Sequence, residues 1–194
     1  KDRIQVFNTY MAAHAVPAKF PSAKEYLRAE VIPLFHKLAD FKAIDAVDIF
    51  FEQGYFDRDD TILLLDEVKK RNIPIKIHAD EFQDNKGAIL ACQYNALSAD
   101  HLLKTQNDGI SLLAKSPTVA TILPGTSLFL GKDFAPVKEM LNAGVKVAIA
   151  TDFNPGSCHF NNLLFLSSLV AAKLEMNVAQ VWSAITLNAA HALG

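Results

Sequence analysis

Short apolar segments alternate with amphipathic segments along the 194-residue chain. Six of the apolar segments are rich in Val, Ile and Phe and are mostly continuous, which is typical of strands covered on both faces. These predicted strands are residues 4–14, 46–53, 73–79, 96–102, 118–124 and 145–151. The pattern therefore favours a parallel sheet with helices on both sides.

Amphipathic segments between and after the strands predict helices. They are residues 22–40, 59–72, 86–95, 106–115, 134–143, 160–174 and 177–193. Ser22 and Glu25 have the spacing of a capping box at the start of the first helix, and Pro33 should kink or divide that helix. Gly144 should end its helix in the left-handed conformation.

This repeated strand–helix order predicts either a doubly wound sheet or a (β/α)₈ TIM barrel. Two observations favour the barrel: no glycine-rich phosphate loop follows a predicted strand, and polar residues gather where several strands end. Six strands are two fewer than a barrel contains. We therefore expect residues 1–194 to form a single incomplete barrel domain, roughly strands three to eight with their helices. Because the chain begins with Lys1 and not Met, we expect the missing strands upstream of it.

Composition narrows the choice of partners. Apolar residues make up 51% of the chain, charged residues make up 21%, and the net charge is −2. No basic patch favours nucleic acid or an anionic membrane surface, and no apolar run is long enough for a membrane span. Two cysteines provide no disulfide framework, so we expect a reducing, cytoplasmic location and a small-molecule substrate.

Polar side chains follow four of the predicted strands at the ends that meet in a barrel. They are His14, His78, Glu81, His101, Asp152 and Asn154. Imidazole and carboxylate groups can hold a zinc ion, which lowers the pKa of bound water to about 7. Glu81, three residues after His78, can then move a proton between that water and a leaving nitrogen.

Each of these residues alone has a simpler structural explanation. A single histidine after a strand is more often a hydrogen-bonded loop residue than a ligand, and Asp152 alone could cap a helix or the NPG turn. Asp80 is expected to face solvent or to cap a helix, and Asp100 to be structural. The coincidence of His78, His101 and Asp152 at the same end of three strands favours a metal site.

Five motifs resemble a known family. "HADEF", "SADHL" and "ATDFNPG" resemble the motifs at strands five, six and eight of the amidohydrolase superfamily. Together with "AAHAVP" and "LPG", in this order along the chain, they closely resemble the imidazolonepropionase family, which opens a ring in histidine degradation. The resemblance covers essentially the whole sequence.

The resemblance implies a role for each matching residue. His78 and Asp152 would bind a zinc or iron ion (Zn²⁺ or Fe³⁺), and Glu81, His101 and Asp152 would be catalytic. The substrate would contact His14, Glu81, Asn154, Gly156 and Ser157. The implied reaction is the hydrolysis of 4-imidazolone-5-propanoate to N-formimidoyl-L-glutamate, and a homodimer is a possible assembly.

The sequence also departs from the family pattern. The His-x-His pair of metal ligands from the first barrel strand is absent, as are an upstream Arg and Tyr that contact the substrate carboxylate. Two alternatives therefore stay open. One is an aminohydrolase of the same superfamily, similar to cytosine or guanine deaminase. The other is a non-catalytic barrel that binds a small ligand.

Overall fold

A computed structural model describes residues 4–194 and contains one six-stranded parallel sheet. All six predicted strands are present, and each is shorter than predicted. The strands are β1 (Thr9–Ala13), β2 (Ala46–Phe51), β3 (Ile75–Ala79), β4 (Ser98–His101), β5 (Val119–Ile122) and β6 (Val147–Ile149).

The order of the strands distinguishes the two predicted folds. Neighbours in the sheet follow chain order from β1 to β6, with no point at which the order reverses. A doubly wound sheet reverses its order at a switch point, whereas a (β/α)₈ barrel adds each strand next to the previous one. Within residues 4–194, β1 pairs only with β2 and β6 only with β5. The sheet is therefore an open part of a (β/α)₈ barrel, as predicted.

Helices follow every strand. They are α1 (Ala23–Tyr26), α2 (Ile32–Asp40), α3 (Arg58–Lys70), α4 (Gly87–Gln93), α5 (Asn107–Leu113), α6 (Pro124–Leu130), α7 (Val137–Asn142), α8 (Leu163–Ala171), α9 (Val178–Ile185) and α10 (Leu187–His191). Helix α6 was not predicted. The predicted helix 177–193 is two helices, because the backbone leaves helical geometry at Thr186. None of the helices within residues 4–194 has the length and apolar character that crossing a membrane requires.

The first predicted helix is interrupted before Pro33. A π-helical segment, Leu27–Val31, joins α1 to α2, and the Ile32 N–H bonds to the Leu27 carbonyl, five residues earlier. Pro33 has no N–H, and its ring crowds the preceding turn of a regular helix. The wider π-helical turn relieves that crowding, so the irregularity lies just before the proline. At the start of α1, Ser22 Oγ accepts the Glu25 N–H at 3.2 Å, which is one of the two hydrogen bonds of the predicted capping box.

The two faces of the sheet have different chemistry. Ile49, Ile77 and Ala99 are aligned across β2, β3 and β4 and belong to the apolar core. On the opposite face, side chains that alternate with these form two rows, in which every member except Phe50 is polar. The aligned residues are Asp48, Lys76 and Ser98 in one row and Phe50, His78 and Asp100 in the next. Polar groups are thus concentrated on the face that lines the inside of the barrel.

Candidate active site and metal centre

A pocket of about 420 Å³ opens at the C-terminal ends of the strands. Every site residue predicted from the sequence lines it except Gly156. The lining residues are Met11, His14, Phe50, His78, Glu81, His101, Asp152, Asn154 and Ser157. The fold therefore brings together side chains from segments that are far apart in the sequence.

Asp48 contacts two histidines that line this pocket, and it was not predicted. Its side chain is buried on β2, and Oδ1 lies 2.9 Å from His78 Nδ1 and 3.2 Å from His14 Nε2. An ionised carboxylate can only accept hydrogen bonds, so His78 must carry a proton on Nδ1. The Nε2 lone pair of neutral His78 is then available to a metal, an arrangement common in protein metal sites.

His14 has the same tautomer for the same reason. Its Nδ1 lies 3.0 Å from the carbonyl oxygen of Met11, which can only accept a hydrogen bond. Its Nε2 is buried and has no hydrogen-bond partner within residues 4–194, although Asp48 Oδ1 is close. A neutral imidazole therefore presents a lone pair to a carboxylate oxygen, and a proton or a cation is needed to neutralise the repulsion.

The donor atoms at this position suit a transition metal. Ligand atoms of His14, Asp48 and His78 all lie within 4.8 Å of one another. Imidazole nitrogen and carboxylate oxygen are the ligands that zinc and iron accept. Asp152, predicted as the partner of His78, lies outside this group of three but lines the same pocket. Its Oδ2 accepts a hydrogen bond from Thr126 Oγ1 of α6.

Carboxylates surround His78, and their negative charge favours a bound cation. Burial lowers the pKa of His78, but the Asp48, Asp100 and Asp152 carboxylates together outweigh burial and raise that pKa to about 9. Burial raises the pKa of Asp48, but the nearby His78 and His14 lower it by more. The pKa of Asp48 therefore lies below its ordinary value. The site therefore keeps the Asp48 carboxylate ionised and attracts positive charge.

Glu81 and His101 form a second pair in the pocket. Glu81 Oε2 lies 3.7 Å from His101 Nε2. Burial raises the pKa of Glu81 to about 7, with Asp152 and Glu52 adding to the rise and His78 opposing it. Burial and the nearby His78 lower the pKa of His101 well below its ordinary value. Near neutral pH, Glu81 thus exchanges a proton readily, whereas His101 is neutral.

The loop after β6 owes its shape to Asn154. Its Oδ1 accepts the N–H groups of Gly156 at 2.8 Å and Ser157 at 2.7 Å, and its Nδ2 donates to the Asp152 carbonyl at 2.7 Å. Asn154 thereby presents Asp152 and Ser157 to the pocket. Gly156 is exposed in this turn and does not line the pocket. Contact between Gly156 and a substrate stays a prediction.

A comparison with known protein families decides the membership of this chain. The model of the amidohydrolase family matches residues 5–194. The chain belongs to the amidohydrolase family. Curated relatives include imidazolonepropionase of Bacillus cytotoxicus, 41% identical over 192 residues, and imidazolonepropionase of Bacillus velezensis, 38% identical over 192 residues. These matches cover 98% of this chain and 45% and 46% of the relatives, so the chain spans about half their length.

Solved structures support the amidohydrolase fold at lower sequence identity. One is an adenosine deaminase from Xanthomonas campestris with bound zinc, with a TM-score of 0.66 and 20% identity over 94% of this chain and 47% of that chain. Another is A. niger ochratoxinase, with a TM-score of 0.69 and 14% identity over 97% and 53% of the two chains. At these identities the likeness concerns the fold alone.

Two residues beside His78 were not predicted from the sequence of this amidohydrolase chain, and the reason is the same for both. Asp48 and Phe50 lie inside the continuous apolar segment "AVDIFF", where one acid among apolar residues gives no signal of a site. Only the register of β2 against β3 shows that both face His78. Asp80, in contrast, caps a helix, which was one of its two predicted roles. Its carboxylate accepts the N–H groups of Gly87 and Ala88 at the start of α4.

Proposed function

We propose that the whole protein is a metal-dependent hydrolase that opens the ring of 4-imidazolone-5-propanoate with water and yields N-formimidoyl-L-glutamate. The observation that carries this proposal is the meeting of His14, His78, Glu81 and Asp152 around one pocket, with Asp48 in contact with both His14 and His78. Relatives named imidazolonepropionase, about 40% identical along nearly the whole chain, support the choice of substrate.

We propose that the metal is zinc or iron. His78 would hold it together with Asp152, and the open Nε2 of His14 is a further candidate ligand. A bound transition metal would polarise the ring carbonyl and make water acidic enough to react near neutral pH.

Glu81 is proposed to move protons. Its pKa of about 7 means that both the carboxylate and the acid are populated near neutral pH. The carboxylate can accept a proton from the attacking water, and the resulting acid can deliver it to the ring nitrogen when the C–N bond breaks. Asp152, at the opposite strand of the pocket, can accept the second proton of the water.

His101 is proposed to assist the attacked carbonyl. Its lowered pKa keeps the ring neutral, so that one ring nitrogen carries a proton and the other carries a lone pair. The N–H can donate a hydrogen bond to the carbonyl oxygen as negative charge develops on it. A neutral ring also avoids a second positive charge beside the metal that His78 would hold; the ring centroids of His101 and His78 are 5.1 Å apart.

A product assay on the whole protein tests this function. The protein, loaded with zinc or iron, is incubated with 4-imidazolone-5-propanoate and, separately, with cytosine and guanine. We expect N-formimidoyl-L-glutamate from the first and no ammonia from the bases. Ammonia release from a base would instead identify an aminohydrolase. Binding of the imidazolone without turnover would identify a non-catalytic barrel.

A cytoplasmic location and a homodimer stay predictions from the sequence.

A further inference from the structure

Glu52 is a buried carboxylate beside the pocket that does not line it. It directly follows β2, and its side chain is 0% exposed. Oε2 accepts the Phe82 N–H at 2.9 Å, while Oε1 accepts the Gln53 N–H at 3.0 Å and the side-chain amide of Asn85. All three donors are neutral N–H groups. Burial of a carboxylate is costly, and charge-assisted hydrogen bonds of this kind offset the cost.

Two of these donors belong to the segment that begins directly after Glu81. Phe82 and Asn85 are the first and fourth residues past it, so Glu52 holds the segment at both of its ends. On the other side of Glu81, the Asp80 carboxylate accepts the N–H groups of Asn85 at 3.1 Å and Gly87 at 2.8 Å. The backbone of Glu81 is therefore fixed between two buried carboxylates.

We propose that Glu52 is a positioning residue for the reaction: through Phe82 and Asn85 it keeps the carboxylate of Glu81 directed into the pocket. This inference rests on the proposed function, in which Glu81 moves protons. Glu52 does not touch the substrate. It acts on the backbone that carries Glu81, and displacement of a reacting group by about 1 Å costs about 100-fold in rate.

The charge of Glu52 supports the same role. The groups whose charge acts on Glu81 are Asp152 and Glu52, which raise its pKa, and His78 and Lys132, which lower it; His101 Nε2 lies 3.7 Å away. Loss of the negative charge at position 52 should therefore lower the pKa of Glu81. A shorter side chain at position 52 that keeps the charge should leave the pKa of Glu81 unchanged.

Two substitutions in the whole protein separate the effect of side-chain length at position 52 from the effect of its charge. Glu52→Gln keeps the length of the side chain but replaces one acceptor oxygen with an NH₂ group and removes the charge. Glu52→Asp keeps the charge but is one methylene shorter. Glu139→Gln, an exposed glutamate on α7, is the matched control. The measurements are hydrogen–deuterium exchange of the peptide that covers residues 79–86 and the pH dependence of kcat/KM for the imidazolone.

Both Glu52 variants should exchange faster over residues 79–86, and kcat should fall about 100-fold with KM nearly unchanged. The acidic limb of the pH profile should move to lower pH in Glu52→Gln and stay in place in Glu52→Asp. The control should match the wild type in every measurement. If neither variant folds, Asn85→Ala, which removes a single donor, should show the same rise in exchange and fall in kcat.

Wild-type exchange and kcat in the Glu52 variants, or in Asn85→Ala, would overturn the inference. Faster exchange with wild-type kcat would also overturn it, since Glu52 would then be structural. If the wild type itself does not open the imidazolone, the proposed function has failed. The exchange data still decide in that case whether Glu52 fixes the segment, so the two failures are distinguishable.

Discussion

Asp48 determines the chemical state of His78. Because its ionised carboxylate accepts a hydrogen bond from Nδ1 at 2.9 Å, the proton of neutral His78 lies on that nitrogen. Nε2 is left with its lone pair. The aligned register of β2 and β3 makes this contact, since Asp48 and His78 lie on the same face two residues apart in register.

Asp48→Asn should weaken metal binding by the whole protein. The amide can donate a hydrogen bond to Nδ1, which favours the opposite tautomer and leaves a proton on Nε2. Loss of such an orienting partner typically costs about 10–100-fold in metal affinity. Competition with a chromophoric chelator measures the affinity. Asp40→Asn, at an exposed ion pair with Arg71, is the control and should bind metal like the wild type. Unchanged affinity in Asp48→Asn would show that Asp48 does not orient His78.

The raised pKa of Glu81 predicts a pH-dependent cost to stability. The ordinary value is 4.5 and the value in the fold is about 7, so the folded state binds the proton more tightly. The resulting stabilisation is complete below pH 4.5 and is lost as the pH rises through 7. Relative to Glu81→Gln, the free energy of unfolding should fall by about 2 kcal/mol between pH 5 and 8.5.

Urea unfolding of the metal-free protein at several pH values measures this difference. A chelator keeps metal binding from contributing to the stability. Wild type and Glu81→Gln that change in parallel with pH would mean that Glu81 titrates at its ordinary value.

At the scale of elements, the sequence predicted where strands and helices occur better than where they end. The apolar run of 4–14 contains β1, yet only Thr9–Ala13 pairs with β2, because pairing depends on a neighbour that the run itself does not reveal. Helix α6 was missed since the predicted strand 118–124 was extended through Pro124, and no helix was predicted before residue 134. In the structure Pro124 begins the helix instead, where its missing N–H needs no partner.

Helix α4 depends on one buried carboxylate. Asp80 accepts the N–H groups of Gly87 and Ala88 and the hydroxyl of Thr105. Asp80→Ala should lower the free energy of unfolding by about 3 kcal/mol, because buried donors would lose their acceptor. Thermal or urea unfolding measures the change. Asp59→Ala, exposed in the first turn of α3, should cost less than about 1 kcal/mol. Equal losses in the two variants would contradict a special role for Asp80.

At the scale of the whole molecule, the sequence predicted the barrel class and most of the pocket. His78, Glu81, His101 and Asp152 each follow or end a strand, and parallel strands carry such residues to one edge. Contacts between side chains of neighbouring strands could not be predicted from the sequence. Asp48 meets His14 and His78 only because β1, β2 and β3 are neighbours, and that neighbourhood is a property of the fold.

The proposed transition metal would lie at the strand ends, bound by His78 and Asp152. Anomalous X-ray scattering from crystals of the whole protein, purified without chelators, would locate this metal. We expect an anomalous peak about 2.0–2.2 Å from a nitrogen of His78 and an oxygen of Asp152. Crystals that show no such peak, even after the protein has been reconstituted with zinc and with iron, would contradict this proposal.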